Sequence, residues 1–175
     1  MSEQFIDPYF DPSTGYCLLQ LSREDVGLDD EAVTYQGQTF QPKDEVHITI
    51  LGSRTADQIA AQIAEEPSSK DALRELIEGT DWRYSLRDEW YHVVREDEEP
   101  YAESIIRMAD VPPLAEFYRQ VEELAGVEIP PRPAHVTLYT LHDETGIGIA
   151  TWKQFDSRVT GPVDPGALAP SSGED

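Results

Sequence analysis

The sequence predicts a single α+β domain, and three observations support this prediction. With 175 residues, of which 39% are hydrophobic, the chain suits one domain with a hydrophobic core, whereas two independent domains would each be small. Short runs rich in β-branched and aromatic residues, bounded by Pro, Gly or charged residues, predict strands. Segments with apolar residues three and four positions apart predict helices.

The first half of the chain predicts strands followed by two helices. Residues 1–15 form a polar lead that contains Pro and Asp, and we expect it to be loosely held ahead of a domain spanning residues 16–163. The residues at 55–58 and 68–71 have the spacing of capping boxes, which mark helix N-termini. The predicted strands are residues 16–21 and 45–51, and residues 33–40, interrupted by Gly37, form a second strand or a hairpin. The predicted helices are residues 55–65 and 68–79.

Aromatic residues are concentrated in the following stretch, residues 81–96. Their alternation with polar residues predicts a hairpin or one long bent strand. Trp90 is a candidate for stacking on a nucleobase, although core packing is the commoner role for both Trp82 and Trp90. After residue 96 we expect a strand at 102–110, a helix begun by Pro112 and Pro113 and ended by Gly126, and a strand at 132–139. A short helix or turn at 152–155, a strand at 158–163 and a disordered tail at 164–175 should complete the chain.

A repeated motif is the most informative feature of the sequence. Residues 45–51 and 132–139 both contain His and Thr two positions apart, flanked by apolar or small residues. Successive strand side chains point to opposite faces, so each His and its Thr share one face while the apolar residues face a core. The repetition favours a shared groove over the alternative, in which each His is an ordinary half-exposed strand residue bonded to a neighbour or to water. The two pairs are His47 with Thr49 and His135 with Thr137.

This paired motif resembles that of the two-histidine phosphoesterase superfamily, which includes the LigT-like RNA cyclic phosphodiesterases and ligases. The resemblance covers about residues 16–161 and is greatest to the bacterial and phage-associated RNA-repair-like branch. It is based on the two motifs together with Leu51–Gly52, the strand at 104–107 with its Pro-started helix, Pro133 and the Gly-rich residues 146–149. It implies two pseudo-symmetric lobes, each an antiparallel sheet with helices, which face each other across a central cleft where the motifs meet.

The two motifs have the residue types that phosphodiester hydrolysis requires. One neutral imidazole can accept a proton from the attacking oxygen while a protonated one supplies the leaving oxygen, and His has a pKa near neutrality that allows both forms. The hydroxyls of Thr49 and Thr137 can donate to the non-bridging oxygens as charge develops there. This chemistry requires no cofactor or metal ion. The resemblance implies the same roles, with His47 and His135 catalytic, and the sequence does not assign acid and base between them.

Further candidates for the site come from residues near the second motif. Tyr139 has the same strand parity as His135 and is a candidate to contact the phosphate or the substrate, with packing as the alternative. Arg132 is close enough in sequence to neutralise phosphate, although an exposed Arg commonly pairs with a surface acid instead. His92 and His142 have no Thr partner, and a zinc site that included either would need a further ligand that no short-range spacing supplies.

The composition narrows the range of partners and of cellular locations. A net charge of −22 repels phosphate backbones, so we expect no extended nucleic-acid surface, whereas a small nucleotide or an RNA terminus can still enter a local cleft. The single cysteine, Cys17, excludes an internal disulfide, and no signal pattern or membrane span is predicted, so we expect a cytoplasmic protein and a monomer. The acid-rich, Lys-poor composition also suggests a salt-adapted cytoplasm.

The residues of the two motifs predict metal-independent phosphodiester hydrolysis, and the resemblance implies a 2′,3′-cyclic phosphate or a 2′,5′-linked nucleotide as the substrate. One alternative is a non-catalytic module that binds a nucleotide in the same cleft. Another is a structural or partner-binding protein, for which neither His would affect a ligand response. Substitution of each His separates these alternatives, because only an enzyme has turnover to lose.

Overall fold

An antiparallel sheet of eleven strands forms the centre of the computed structural model, which describes residues 2–171. The strands are β1 Gln4–Phe5, β2 Pro8–Phe10, β3 Cys17–Leu21, β4 Val33–Tyr35, β5 Gln38–Pro42, β6 Val46–Leu51, β7 Arg83–Arg95, β8 Ala102–Asp110, β9 His135–Leu141, β10 Val159–Pro162 and β11 Ala169–Pro170. In the same residues the helices are α1 Arg23–Val26, α2 Ser53–Ile63, α3 Pro67–Gly79, α4 Leu114–Ala125 and α5 Trp152–Arg158, with a 3₁₀ turn at Pro165–Ala167. The α+β class is thereby confirmed.

Strand β9 lies at the centre of this sheet. It pairs with β8 along one edge, and along the other edge with β6 and with β5. Strands β3 and β2 continue the sheet beyond β6, and β7 continues it beyond β8. The two motif strands, β6 and β9, are therefore direct neighbours in one curled, connected sheet.

The two faces of the sheet bury separate apolar clusters. Adjacent residues of β8 illustrate this, because Ile105 belongs to the main core and Ile106 to a second cluster on the opposite face. The main core includes apolar side chains of α2, α3 and α4, and the second cluster includes Ile147 and Ile149 from the loop after β9. Phe155 of α5 packs against this second cluster.

Several local expectations are confirmed, and others need correction. Residues 33–42 form the β4–β5 hairpin, and residues 83–95 form one long strand rather than a hairpin. The predicted capping boxes are not used, because α2 begins after Gly52 and α3 begins with Pro67, a residue favoured in the first turn of a helix. Gly126 adopts the left-handed conformation (φ 67°) that ends α4, as expected.

Both chain ends contribute strands within the described residues. In the lead that we expected to be loosely held, β1 pairs with β7 and β2 pairs with β3. In the predicted tail, β11 pairs with β4, and residues 172–175 lie outside the described residues. No helix within residues 2–171 is both long and apolar enough to cross a membrane.

Candidate active site

Neighbouring strands bring the two motifs together. Ile48 of β6 pairs with Val136 of β9, and both side chains are fully buried in the main core. Flanking residues in each strand point to the opposite face, so His47, Thr49, His135 and Thr137 project away from this core. In an antiparallel register centred on that pair, His47 is level with Thr137 and Thr49 is level with His135. The motifs are thus related by a local two-fold arrangement.

The four motif side chains line one small cavity of about 130 Å³. Two cations, Lys43 and Arg132, also line it, and among residues 2–171 they are accompanied by a single carboxylate, that of Glu45. A locally basic cavity in a chain of net charge −22 is suited to an anionic group such as a phosphate. The remaining lining residues are Tyr16, Thr145, Ile147 and Gly148.

The backbone fixes the tautomer of His135. Its Nδ1 lies 2.7 Å from the carbonyl oxygen of Pro133, which only accepts, so Nδ1 bears the hydrogen and the lone pair is on Nε2. Burial lowers the pKa of His135 to about 4, a tendency that the Pro133 hydrogen bond opposes and that Arg132 and His47 reinforce. His135 is therefore neutral near pH 7 and has a basic nitrogen available for a proton.

His47 is less buried than His135 and lies in a more polar setting. Its Nε2 is 3.4 Å from the hydroxyl of Tyr16, and its side chain is half-buried. Burial lowers the pKa of His47, Lys43 and Arg132 act in the same direction, and Glu45 opposes them. The pKa of each imidazole is lowered, and no carboxylate within residues 2–171 is hydrogen-bonded to either ring, so both are mainly neutral at pH 7.

The guanidinium of Arg132 lies against the cavity, in a position that requires Gly52. A Cβ atom at Gly52 would lie 3.2 Å from Nη1 of Arg132 and 3.6 Å from Cγ2 of Thr49. Within residues 2–171 Arg132 forms no ion pair, so the pairing with a surface acid that sequence reasoning preferred is wrong. Burial lowers the pKa of Arg132, which nevertheless stays charged and is available to an anion.

Two of the weaker candidates lie on the other face of the sheet. Tyr139 belongs to the main core, because β9 contains an extra residue, Leu138, between the residues that pair with Ile106 and Ile105. This bulge reverses the parity that the sequence pattern assumed. Trp90 packs against the same core with its ring 5.7 Å from the guanidinium carbon of Arg107. Neither residue lines the His–Thr cavity.

The other two histidines are also distant from this cavity. His92 is buried, with Nε2 at 2.6 Å from Glu103 and Nδ1 at 2.6 Å from the hydroxyl of Thr160. His142 is exposed and packs against the ring of Tyr101. No group of three or more His, Cys, Asp or Glu in the described part of the chain is placed to hold a metal ion.

Sequence reasoning did not identify Tyr16 and Lys43 as site residues. Tyr16 immediately precedes β3, the outer neighbour of β6, and Lys43 immediately follows β5, which pairs with β9. Both reach the cavity through strand pairing that no local pattern reveals. Comparison of the chain with models of known protein families, with curated proteins and with solved structures gave no match.

Proposed function

We propose that this protein is a metal-independent phosphodiesterase that hydrolyses a 2′,3′-cyclic phosphate, or a 2′,5′ linkage, in a small nucleotide or at an RNA terminus. The main support is the meeting of both His–Thr pairs with Arg132 in one cavity of about 130 Å³. The residue types match the two kinds of proton transfer and the charge stabilisation that phosphodiester cleavage needs. We place the enzyme in the cytoplasm as a monomer, in keeping with its composition.

In this mechanism His135 is the general base. Its Nε2 accepts a proton from the attacking water, whose oxygen forms the new bond to phosphorus. The hydrogen bond from Nδ1 to the Pro133 carbonyl holds the ring in the required tautomer and stabilises it as it becomes protonated. The stronger effect of burial on His135 also supports its assignment as the residue that begins neutral.

His47 then acts as the general acid. Its protonated ring donates to the leaving sugar oxygen as the bond from that oxygen to phosphorus breaks, which gives a nucleoside monophosphate. The anionic phosphate favours the protonated form of His47 in the complex, because an opposite charge nearby raises a histidine pKa. The hydroxyls of Thr49 and Thr137 donate to the non-bridging oxygens, and Arg132 stabilises the negative charge on them.

The local two-fold relation between the motifs supports a finer architectural proposal. We propose that β6 with its neighbour β3, and β9 with its neighbour β8, are the centres of two pseudo-symmetric lobes that are joined where Ile48 meets Val136. In this arrangement each lobe supplies one imidazole and one hydroxyl to a shared phosphate.

A second candidate function is non-catalytic binding of a nucleotide in the same cavity. It is favoured by one observation, namely that burial leaves both imidazoles neutral in the free protein, so no acid is ready until an anion binds. A binding module would take up nucleotides without converting them.

Turnover of a panel of nucleoside 2′,3′-cyclic phosphates in excess chelator separates the two functions. The enzyme proposal predicts hydrolysis by the wild-type protein that is lost in both His47→Ala and His135→Ala. Binding without any hydrolysis by folded wild-type protein would support the module instead. Both proposals would be contradicted if the folded wild-type protein neither bound nor hydrolysed any member of the panel or any 2′,5′-linked dinucleotide.

A further inference from the structure

The His–Thr cavity is too small for a whole nucleotide. At about 130 Å³ it has room for a phosphate and part of a sugar, whereas pockets for small organic ligands usually occupy 300 Å³ or more. The base of a nucleotide bound there must lie outside this cavity. Arg132, which lines the His–Thr cavity, also lines two further cavities of about 360 and 560 Å³ that are therefore its neighbours.

The larger of these cavities has an exposed tryptophan on its wall. Trp152, in the first turn of α5, lines this cavity and is 46% exposed. Burial of the exposed part of this large apolar ring, for example under a ligand, would be favourable. The Trp152 ring packs against that of Phe155 in an edge-to-face geometry with centroids 5.4 Å apart, and Phe155 in turn packs on Tyr91. The ring of Trp152 is thus held in place while much of its surface is open to a ligand.

The charges in this larger cavity disfavour a second phosphate there. Among its arginines, Arg87 pairs with Glu89, and Arg119 pairs with Glu116 and Glu123. Only Arg132, at the wall shared with the His–Thr cavity, has no such partner within residues 2–171. The carboxylates that line the rest of the cavity are those of Asp110, Glu122 and Glu128.

We infer that this cavity, between Trp152 and the segment from Glu128 to Arg132, binds the nucleobase of the substrate, and that Trp152 stacks on the base. This inference rests on the proposed function, because it assumes that a phosphate occupies the His–Thr cavity. The substrate is then a mononucleotide or a terminal nucleotide, since the acidic walls repel a further phosphodiester. Carboxylates accept hydrogen bonds from amino groups, so adenine, cytosine and guanine are preferred over uracil.

The test compares adenosine 2′,3′-cyclic phosphate with ribose 2′,3′-cyclic phosphate, which lacks a base. For the wild-type enzyme we expect a higher kcat/KM with the adenosine compound. Trp152→Ala should reduce that preference about 5- to 150-fold, the range expected for loss of one base stacked on an aromatic ring. Trp152→Phe should keep most of the preference, and Tyr9→Ala, which alters an exposed aromatic residue on β2, should leave it unchanged.

Two results would overturn the base-binding inference while leaving the proposed function intact. One is equal kcat/KM of the wild-type enzyme for the two substrates, and the other is an unchanged preference in Trp152→Ala. If the wild-type protein hydrolyses neither compound, the hydrolysis proposed for cyclic phosphates fails, and calorimetric titration with adenosine 2′-monophosphate decides the inference separately. Binding that weakens in Trp152→Ala supports the base site, and absence of binding overturns it.

Glu128→Gln tests whether the cavity carboxylates select the base. The substrates are the 2′,3′-cyclic phosphates of adenosine, cytidine and uridine. The wild-type enzyme should prefer the two bases that have an amino group, and the substitution should narrow that preference because an amide oxygen is a weaker acceptor than a carboxylate. A wild-type preference for uridine would contradict the inferred role of the acidic wall.

Discussion

His135 and His92 are both buried histidines, yet their surroundings differ in the feature that decides what a histidine can do. His92 has both ring nitrogens engaged, one by the carboxylate of Glu103 and the other by Thr160, each at 2.6 Å. His135 has a carbonyl on one nitrogen only, and it shares a cavity with His47 and two cations. The comparison indicates that His92 holds strands together, whereas His135 has a nitrogen free for chemistry.

The network around His92 accounts for the burial of an ionised group. Glu103 accepts hydrogen bonds from Tyr101 at 2.5 Å and from Gln38 at 3.3 Å, in addition to its contact with His92. These contacts connect β5, β7 and β8, and Thr160 connects β10. A buried carboxylate with this many partners, in which both oxygens accept hydrogen bonds, stabilises one arrangement of strands.

Substitution of the two cavity histidines tests whether the His–Thr cavity is the catalytic region of the molecule. We expect His47→Ala and His135→Ala each to lower kcat for a cyclic phosphate by about 10²- to 10⁴-fold, because each removes one proton transfer from the transition state. Thermal unfolding of both variants should stay close to that of the wild type. As a control, His142→Asn changes an exposed histidine at φ 72°, a conformation that Asn tolerates, and should not alter kcat. Equal losses of kcat in all three variants would show that the cavity histidines have no special part in catalysis.

Glu103→Ala should have the opposite profile, with a large loss of stability. Removal of this carboxylate leaves the donors of His92, Tyr101 and Gln38 without their acceptor. An unpaired buried donor such as that of His92 costs about 1–3 kcal/mol, so we expect chemical denaturation at a much lower denaturant concentration. The turnover of molecules that remain folded should change little. A large fall in kcat without loss of stability would place this network in the active site instead.

The same network gives the stability a dependence on pH. Burial tends to raise the pKa of Glu103, but hydrogen bonds from Tyr101, His92 and Gln38 together hold that pKa below its usual value of 4.5. A carboxyl with a lowered pKa contributes stability that is complete above the unfolded value and is lost as the pH falls through the folded value. The wild type should therefore lose stability faster than Glu103→Ala as the pH falls below about 4.5.

Substitutions of Arg132 test whether its guanidinium stabilises the transition state. We expect Arg132→Ala to lower kcat by about 10²- to 10³-fold, comparable to the loss of one donor to a developing oxyanion. Arg132→Lys should recover part of this loss, because the charge remains while the planar donor set is absent. Arg74→Ala, which alters an exposed arginine on α3, is the matched control and should be neutral. An effect on KM alone would indicate ground-state binding only.

Gly146 packs over Thr137, and its substitution should change stability and kcat only modestly. This glycine has φ 82°, and an added Cβ would lie 3.2 Å from Cγ2 of Thr137. Gly146→Ala should destabilise the fold by about 1–2 kcal/mol through backbone strain and should lower kcat by displacing Thr137. Gly79→Ala, at a position with nothing within 4 Å of the added Cβ, should do neither, as thermal unfolding and kinetics can verify.

Features of this molecule that depend on local patterns could be predicted from the sequence. The alternation in Val46, Ile48 and Ile50 is enough to predict both the strand and its buried face, and the same holds for Val136 and Leu138. The His–Thr pairs follow from that alternation, because they occupy the opposite face.

Features that depend on pairing between distant strands could not be predicted. Tyr139 faces the main core because β9 bulges against β8, and periodicity within β9 contains no sign of the bulge. Tyr16 and Lys43 reach the cavity only because β3 and β5 lie beside the motif strands. The position of Arg132 close to the second motif is visible in the sequence, whereas its lack of an acidic partner within residues 2–171 depends on the tertiary structure.

In the proposed mechanism two cavity histidines, with no carboxylate of residues 2–171 bonded to either ring, divide the proton transfers, with His135 as base and His47 as acid. The most direct test is the pH dependence of kcat/KM of the wild-type enzyme for adenosine 2′,3′-cyclic phosphate, which reports the pKa values of the free enzyme. Activity needs His135 neutral, above its pKa of about 4, and His47 protonated, below a pKa that burial lowers from 6.5. The account predicts a bell-shaped profile with its maximum between about pH 4 and 6.5, and a maximum above pH 7 would contradict it.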